Sequence, residues 1–187
     1  MYIPKHFSID DKSEIRSFIE SNAFGQLIST VNGRLFSSHL PFLFDFDKSK
    51  AYAHLARQNQ QHTNIQDQEI MISLQGPHTY ISPSWYLSPG VPTWNYQAVH
   101  IYGKAACFDD QDKLQWLVES LTHQYEQHFA SPWQPEYRKE MLNAIVGIEI
   151  EITEIQCKFK MSQNRSEADR QSVSEALRQA GQPPLAL

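Results

Sequence analysis

The sequence predicts a mainly β fold with peripheral α-helices, a small antiparallel barrel of about six strands. Three observations carry that expectation. Segments of strand period follow one another from Phe24, with no alternation of strand and helix at the start. Asn32-Gly33 sits between two of them, and a two-residue hairpin turn needs positive φ at both positions. A long segment, Thr93 to Phe108, places Val99 and Ile101 on one face and Trp94, Tyr96, His100 and Tyr102 on the other. A strand with apolar or aromatic matter on both faces needs a second surface: a ligand, a helix or another subunit.

Taken in order, Met1 to Phe7 reads as an extended arm, because Pro4 disfavours helix just before it. Ser8 is expected to cap a first helix, with Asp10 and Asp11 near its positive end and Ile15, Phe18 and Ile19 as its apolar stripe. FGQLISTV and RLFSSHLPFLF form the hairpin strands, with Pro41 marking an edge or a bulge. KAYAHLAR is a third strand, Gln58 to Gln68 a short polar helix, and EIMISLQG a fourth strand. GPHTYISPSWYLSPG, rich in proline, reads as a loop that covers or shapes a cleft.

Asp109 to Phe129 has the pattern of an amphipathic helix, with Leu114, Leu117, Val118, Leu121 and Tyr125 on its stripe. PEYRKEMLNAIV is a shorter helix. VGIEIEITEI turns Ile148, Ile150 and Ile152 inward, and Ile155 falls out of phase, which places a bulge near Thr153. That strand continues through Lys158 and Lys160. Ser166 caps a last helix with Asp169 at its third position, Gly181 stops it, and Pro183-Pro184 leaves a loose tail. The expected organisation is one domain over 1–165, with 166–187 as its C-terminal helix and tail.

A chain of 187 residues with 41% hydrophobic and 20% charged residues has the composition of an ordinary globular protein. Its net charge of −5 argues against a nucleic-acid-binding surface covering the whole domain. Cys107 and Cys157 have neither zinc nor redox spacing and read as reduced residues. The start MYIPKHFSIDDK lacks the apolar run of a signal peptide, and no stretch has transmembrane length, so the expected location is cytoplasmic. No HExxH, GxGxxG or P-loop occurs, and the eight histidines are scattered, so no metal site is expected.

Three segments carry binding chemistry. His54 to Asn59 ends a strand in Arg57, whose guanidinium suits bidentate contact with phosphate; a solvated surface arginine is the plainer alternative. Lys158, Lys160 and Ser162 share one face of an extended chain leading into a helix start, followed by Gln163, Asn164 and Arg165. That is the best anion site in the sequence; a basic edge strand and contact with a nucleic-acid backbone are its rivals. Ser37-Ser38-His39 is no catalytic dyad, since adjacent strand residues face opposite ways, and reads as hydrogen-bonding groups for a ligand or as ordinary strand.

MYIPKHF, SHLPF, HLARQN, GPHTYISPSWY, VPTWNYQAVHIYG and KFKMSQNR together resemble the PaiB family of FMN-binding negative transcriptional regulators, in this order and along essentially the whole chain. The resemblance implies a split β-barrel like that of the pyridoxamine-phosphate oxidases, and an intimate homodimer with FMN at its interface. It implies cofactor-binding roles for His54, Arg57 and Asn59; for Trp94, Asn95 and Tyr96; and for Ser162, Gln163, Asn164 and Arg165, and the residue readings above add Ser38, His39 and Lys158 to the cofactor-binding candidates. Transcriptional repression and FMN-dependent oxidoreductase activity both follow from it, and no catalytic residue is identified. The competing readings are a DNA-binding regulator without flavin chemistry and a haem-binding split barrel. Direct DNA contact has weak support, because no basic recognition helix is visible.

Overall fold

The computed structural model describes residues 1–135 and 139–181. Among the described residues seven strands form one sheet in the order β2-β1-β5-β6-β7-β4-β3. In chain order they are β1 (Phe24–Val31), β2 (Arg34–Pro41), β3 (Leu43–Asp45), β4 (Lys50–Ala56), β5 (Glu69–Ile81), β6 (Thr93–Phe108) and β7 (Ile145–Lys160). The helices are α1 (Lys12–Ser21), α2 (Gln61–Asn64), α3 (Gln111–Glu126), α4 (Lys139–Leu142) and α5 (Glu167–Gln179). The chain divides into two compact units, and β5, β6 and β7 each run from one into the other.

The first unit comprises Met1–Ile19, Gln75–Val99 and Gln156–Leu187. Its arm is not extended to the end: Lys5–Phe7 makes a 3-10 turn, with the Phe7 N–H donating to Pro4 O at 2.8 Å and the ring buried. Ser8 does not cap α1, because it forms a β-bridge with Lys158. Asp11 is the cap instead, its Oδ1 accepting from the Glu14 N–H at 2.8 Å. Phe18 packs against Phe159 with ring centroids 5.0 Å apart. A Cβ on Gly76 would lie 2.6 Å from the Phe18 ring, so this glycine permits a close approach inside a strand. β5 continues through Pro77 to Ile81 rather than ending at Gly76, and the expected loop starts only at Ser82.

α5 closes this unit. Ser166 Oγ accepts from the Asp169 N–H at 3.2 Å, and Gly181 ends the helix region with φ +67°. Val173 and Leu177 pack with Ile81 and Tyr86, with Trp85 alongside. Pro183 and Pro184 lie outside the described residues.

The second unit comprises Glu20–Leu74 and His100–Ile155. Asn32 and Gly33 turn at φ +50° and +77°, which sets β1 against β2 in antiparallel register from Phe24↔Pro41 to Val31↔Arg34. β2 is an edge strand, where the missing proline donor costs nothing. The fully buried Phe42 donates its N–H to Ala23 O at 2.8 Å and splits the expected single strand into β2 and β3. β4 pairs antiparallel with β7. Tyr52 of β4 packs on Leu117 and Leu121 of α3, which Asp110 caps by accepting from the Lys113 N–H at 2.9 Å. Tyr125, expected on the buried stripe of α3, is exposed in its last turn.

Along β7 the inward residues are Ile148 and Ile150, then Cys157 and Phe159. The phase changes across the consecutive exposed pair Thr153 and Glu154, where the sequence places its slip. Among the described residues the expected second helix after α3 spans Lys139–Leu142, and Glu136 to Arg138 of it lie outside the described residues. Among the described residues no helix is long and apolar enough to cross a membrane.

Candidate functional site

Three cations gather in the first unit at the end of β7. Lys158 is buried, with Nζ donating to Tyr2 O at 3.0 Å and lying 5.6 Å and 5.2 Å from the ring centroids of Tyr2 and Tyr96. Lys160 Nζ donates to Thr93 Oγ1 at 2.5 Å and Trp94 O at 2.7 Å. Arg165 lies 4.2 Å over the Tyr86 ring and donates from Nη1 to Pro89 O at 3.1 Å. Carbonyl oxygens and aromatic faces hold these charges; among the described residues none of the three has a carboxylate partner. Burial lowers the Lys160 pKa, and repulsion from Lys158 and Arg165 lowers it further. A cluster of this kind stores unfavourable charge that a bound anion relieves.

The turn joining these cations is built by Asn95 and Ser162. Ser162 has φ +64°, a conformation uncommon for a residue with a side chain. Both residues are buried and bond to each other: Asn95 Nδ2 donates to Ser162 Oγ at 3.0 Å, and Ser162 Oγ lies 3.2 Å from Asn95 Oδ1. Gln163 bonds within the same turn, accepting from the Met161 N–H and donating to Phe159 O, both at 2.6 Å. Three sequence candidates therefore shape the turn, and Asn164 is exposed on it.

Beside them is an open aromatic wall. Trp94 is 54% exposed, and its centroid lies 6.0 Å from Tyr80 and 6.3 Å from His78. The adjoining loop is fastened to α5 by Asp169, whose Oδ1 accepts from the Leu87 and Ser88 N–H groups at 2.8 Å and 3.0 Å. Its Oδ2 accepts from Ser88 Oγ at 2.5 Å. The Ser88 hydroxyl bond, followed by the backbone donors, holds the Asp169 carboxyl below its ordinary pKa.

The second unit holds the other candidates. Asn59 Nδ2 donates to Ser38 Oγ at 2.9 Å, and Asn59 Oδ1 accepts from the Gln61 N–H at 3.0 Å. Gln61, fully buried, donates from Nε2 to Leu27 O at 3.0 Å and Ser29 Oγ at 2.9 Å. His39 is exposed beside Gln26 and stacks on Phe24 with centroids 6.5 Å apart. Arg57 is not a free fork: Nε donates to Asn143 O at 2.8 Å and Nη2 to Ile145 O at 2.9 Å. It pins the segment between α4 and β7, which takes up two of the five guanidinium N–H donors. His54 lines a cavity beneath α3, away from this network of amides and hydroxyls. No cluster of histidine, cysteine or carboxylate groups suited to a metal occurs among the described residues.

The family described as "Putative FMN-binding domain" matches residues 1–154. The chain belongs to this family. Its cofactor is FMN. Among its relatives is the Protease synthase and sporulation protein PAI 2 of Bacillus subtilis (strain 168), 38% identical over 191 residues, covering 98% of this chain and 92% of that protein. The flavocytochrome Anf3 of Azotobacter vinelandii superposes with a TM-score of 0.70 at 15% identity, over 90% of this chain and 77% of that one. The FAD and heme binding protein of Mycobacterium smegmatis gives 0.67 at 11% identity, over 87% and 78%. These two likenesses establish the fold, and the split β-barrel expected from the sequence is the fold found.

Lys160, Tyr80 and His78 are absent from the residues the family resemblance singles out. The two-residue alternation from Lys158 identifies Lys160, and the same period along β6 places Trp94 with Tyr96. Tyr80 and His78 lie in GPHTYISPSWY, which the sequence reads as a loop shaping a cleft without assigning either residue a role. Asp169 was visible only as a helix-capping residue.

Proposed function

We propose that the first unit holds the FMN phosphate through Lys160 and Arg165, with Lys158 adding charge from behind and Asn164 a polar side chain. The observation that carries this reading is the cluster of three cations without a carboxylate partner, which matches the donor set a phosphate requires. Trp94, Tyr80 and Tyr96 offer flat, partly polar surface for the ring system. Asn95, Ser162 and Gln163 act as positioning residues that fix the turn. Bound flavin supplies one- and two-electron chemistry; the chain supplies charge, orientation and shielding. Titration of flavin fluorescence tests the assignment: Lys160→Met weakens FMN binding about tenfold, since a charge-assisted hydrogen bond contributes roughly 1.5–3 kcal/mol. Unchanged affinity in that variant removes the phosphate site from this unit.

The protein acts as a homodimer in this reading. Support comes from the edge strand β2, where Leu35 is 83% exposed, with Phe36 and Phe24 also open to solvent. Light scattering is expected to give twice the chain mass of 21.7 kDa; a monomer at micromolar concentration contradicts it. The regulatory role implied by the resemblance is then exercised from the cytoplasm through flavin occupancy rather than through a basic DNA-reading surface. Lys158 and Lys160 are assigned to the flavin phosphate in this reading and so are not available to DNA, and the α5 arginines pair with Glu167 and Glu175.

A further inference from the structure

A cavity of about 480 Å³ lies between α3, α4 and the outer face of β4, within the second unit. Val118, Leu121, Met141, Leu142, Ile145 and Trp133 give it largely apolar walls. Its volume falls in the range of small-molecule sites. Besides the indole of Trp133, four polar side chains reach it, and three are already engaged. Thr122 Oγ1 donates to Val118 O at 2.8 Å, Glu126 Oε2 accepts from the Trp133 N–H at 2.7 Å, and Tyr125 pairs with Gln124. The fourth is His54, whose buried Nδ1 has no hydrogen-bond partner. No hydrogen bond of any kind is made by this ring among the described residues.

An orphaned buried N–H is rarer than an under-satisfied acceptor, which places the proton on Nε2 and leaves the bare lone pair on Nδ1. Burial lowers the His54 pKa and keeps the ring neutral near pH 7. The imidazole thus carries one N–H donor without a partner among the described residues, at the wall of an open, largely apolar cavity. This combination of apolar walls and one polar fixing group is the usual composition of a ligand pocket.

We propose that this cavity is a second ligand site, separate from the cation cluster of the first unit, for a neutral and mostly apolar molecule carrying a single carbonyl acceptor that receives the His54 Nε2–H. The proposal stands apart from the phosphate assignment, because none of its residues belongs to the cation cluster.

Acetophenone and α-methylstyrene are suitable probes: they have nearly the same shape and differ in C=O against C=CH₂. Titration of each into the intact protein, followed by amide chemical shifts, is expected to move Val118, Leu121 and Leu142. Acetophenone is expected to bind about fivefold more tightly, the ratio that one net hydrogen bond of about 1 kcal/mol supplies. His54→Leu should abolish the difference while both probes still bind, and His54→Gln, which retains an N–H donor, should restore part of it. Filling the chamber by Val118→Phe should weaken both probes. Shifts confined to other residues, equal affinity of the two probes, or an acetophenone preference that survives His54→Leu each overturn the proposal. FMN titration of Val118→Phe, which lies outside every residue assigned to the flavin, should match the parent chain, so failure here is separable from failure of the flavin assignment.

Discussion

Lys160 shows how far a single side chain can carry a functional reading. Its ammonium donates to Thr93 and Trp94 while two further cations stand nearby. The fold holds its pKa below the ordinary 10.5, chiefly through burial. For a lysine with a lowered folded pKa, the charged form opposes folding at low pH, and that opposition is lifted as pH rises through the folded value. An anion bound at the cluster reverses the balance by favouring the charged form. FMN affinity is therefore expected to fall with rising pH before the ordinary lysine range is reached, and the fall should vanish in Lys160→Met. Fluorescence titrations at a series of pH values check it. Arg57 teaches the complementary lesson: from sequence its guanidinium suits a phosphate, yet two of its donors lock Asn143 and Ile145. No pattern in the sequence announces that those carbonyls, far along the chain, will reach it.

At the scale of elements, the segment joining β5 to β6 is organised by α5. Asp169 receives Leu87 and Ser88, Arg165 lies on Tyr86, and Val173 and Leu177 cover Ile81. Asp169→Ala is expected to free the loop, seen as faster hydrogen exchange at the Leu87 and Ser88 amides with α5 still helical. Because the folded Asp169 pKa is lowered, the contribution of this fastening is complete above the ordinary value of 3.8. It is lost as pH falls through the folded value. The elements themselves were largely legible. The hairpin followed from Asn32-Gly33, β6 from its two-residue period, and α3 from Leu114, Leu117, Val118 and Leu121. The misreadings have local causes. Pro77 suggested a loop, but β5 carries on beyond the Gly76–Phe18 contact. Ser8 looked like a helix cap, but its backbone bridges to Lys158 and Asp11 takes the role.

For the whole molecule, the sequence supports the family and the cofactor class, whereas the donor geometry required the folded chain. The anion-suited segment at Lys158–Arg165 was visible as a run of basic and polar residues. That Asn95 and Ser162 would turn inward to bond each other, leaving the lysines and Arg165 as the charged set, depends on a φ of +64° at Ser162 that composition does not reveal. The central claim is that this cluster recognises the phosphate of FMN. Its most direct test compares FMN with riboflavin, which has the same ring system and no phosphate, by fluorescence quenching on the parent chain and on Lys160→Met/Arg165→Met. The account predicts that FMN binds on the order of a hundredfold more tightly than riboflavin to the parent, since several charge-assisted bonds are involved. It predicts that the double variant narrows the gap about tenfold or more by weakening FMN alone. Equal binding of the two flavins, or a phosphate preference undiminished in the double variant, would contradict it.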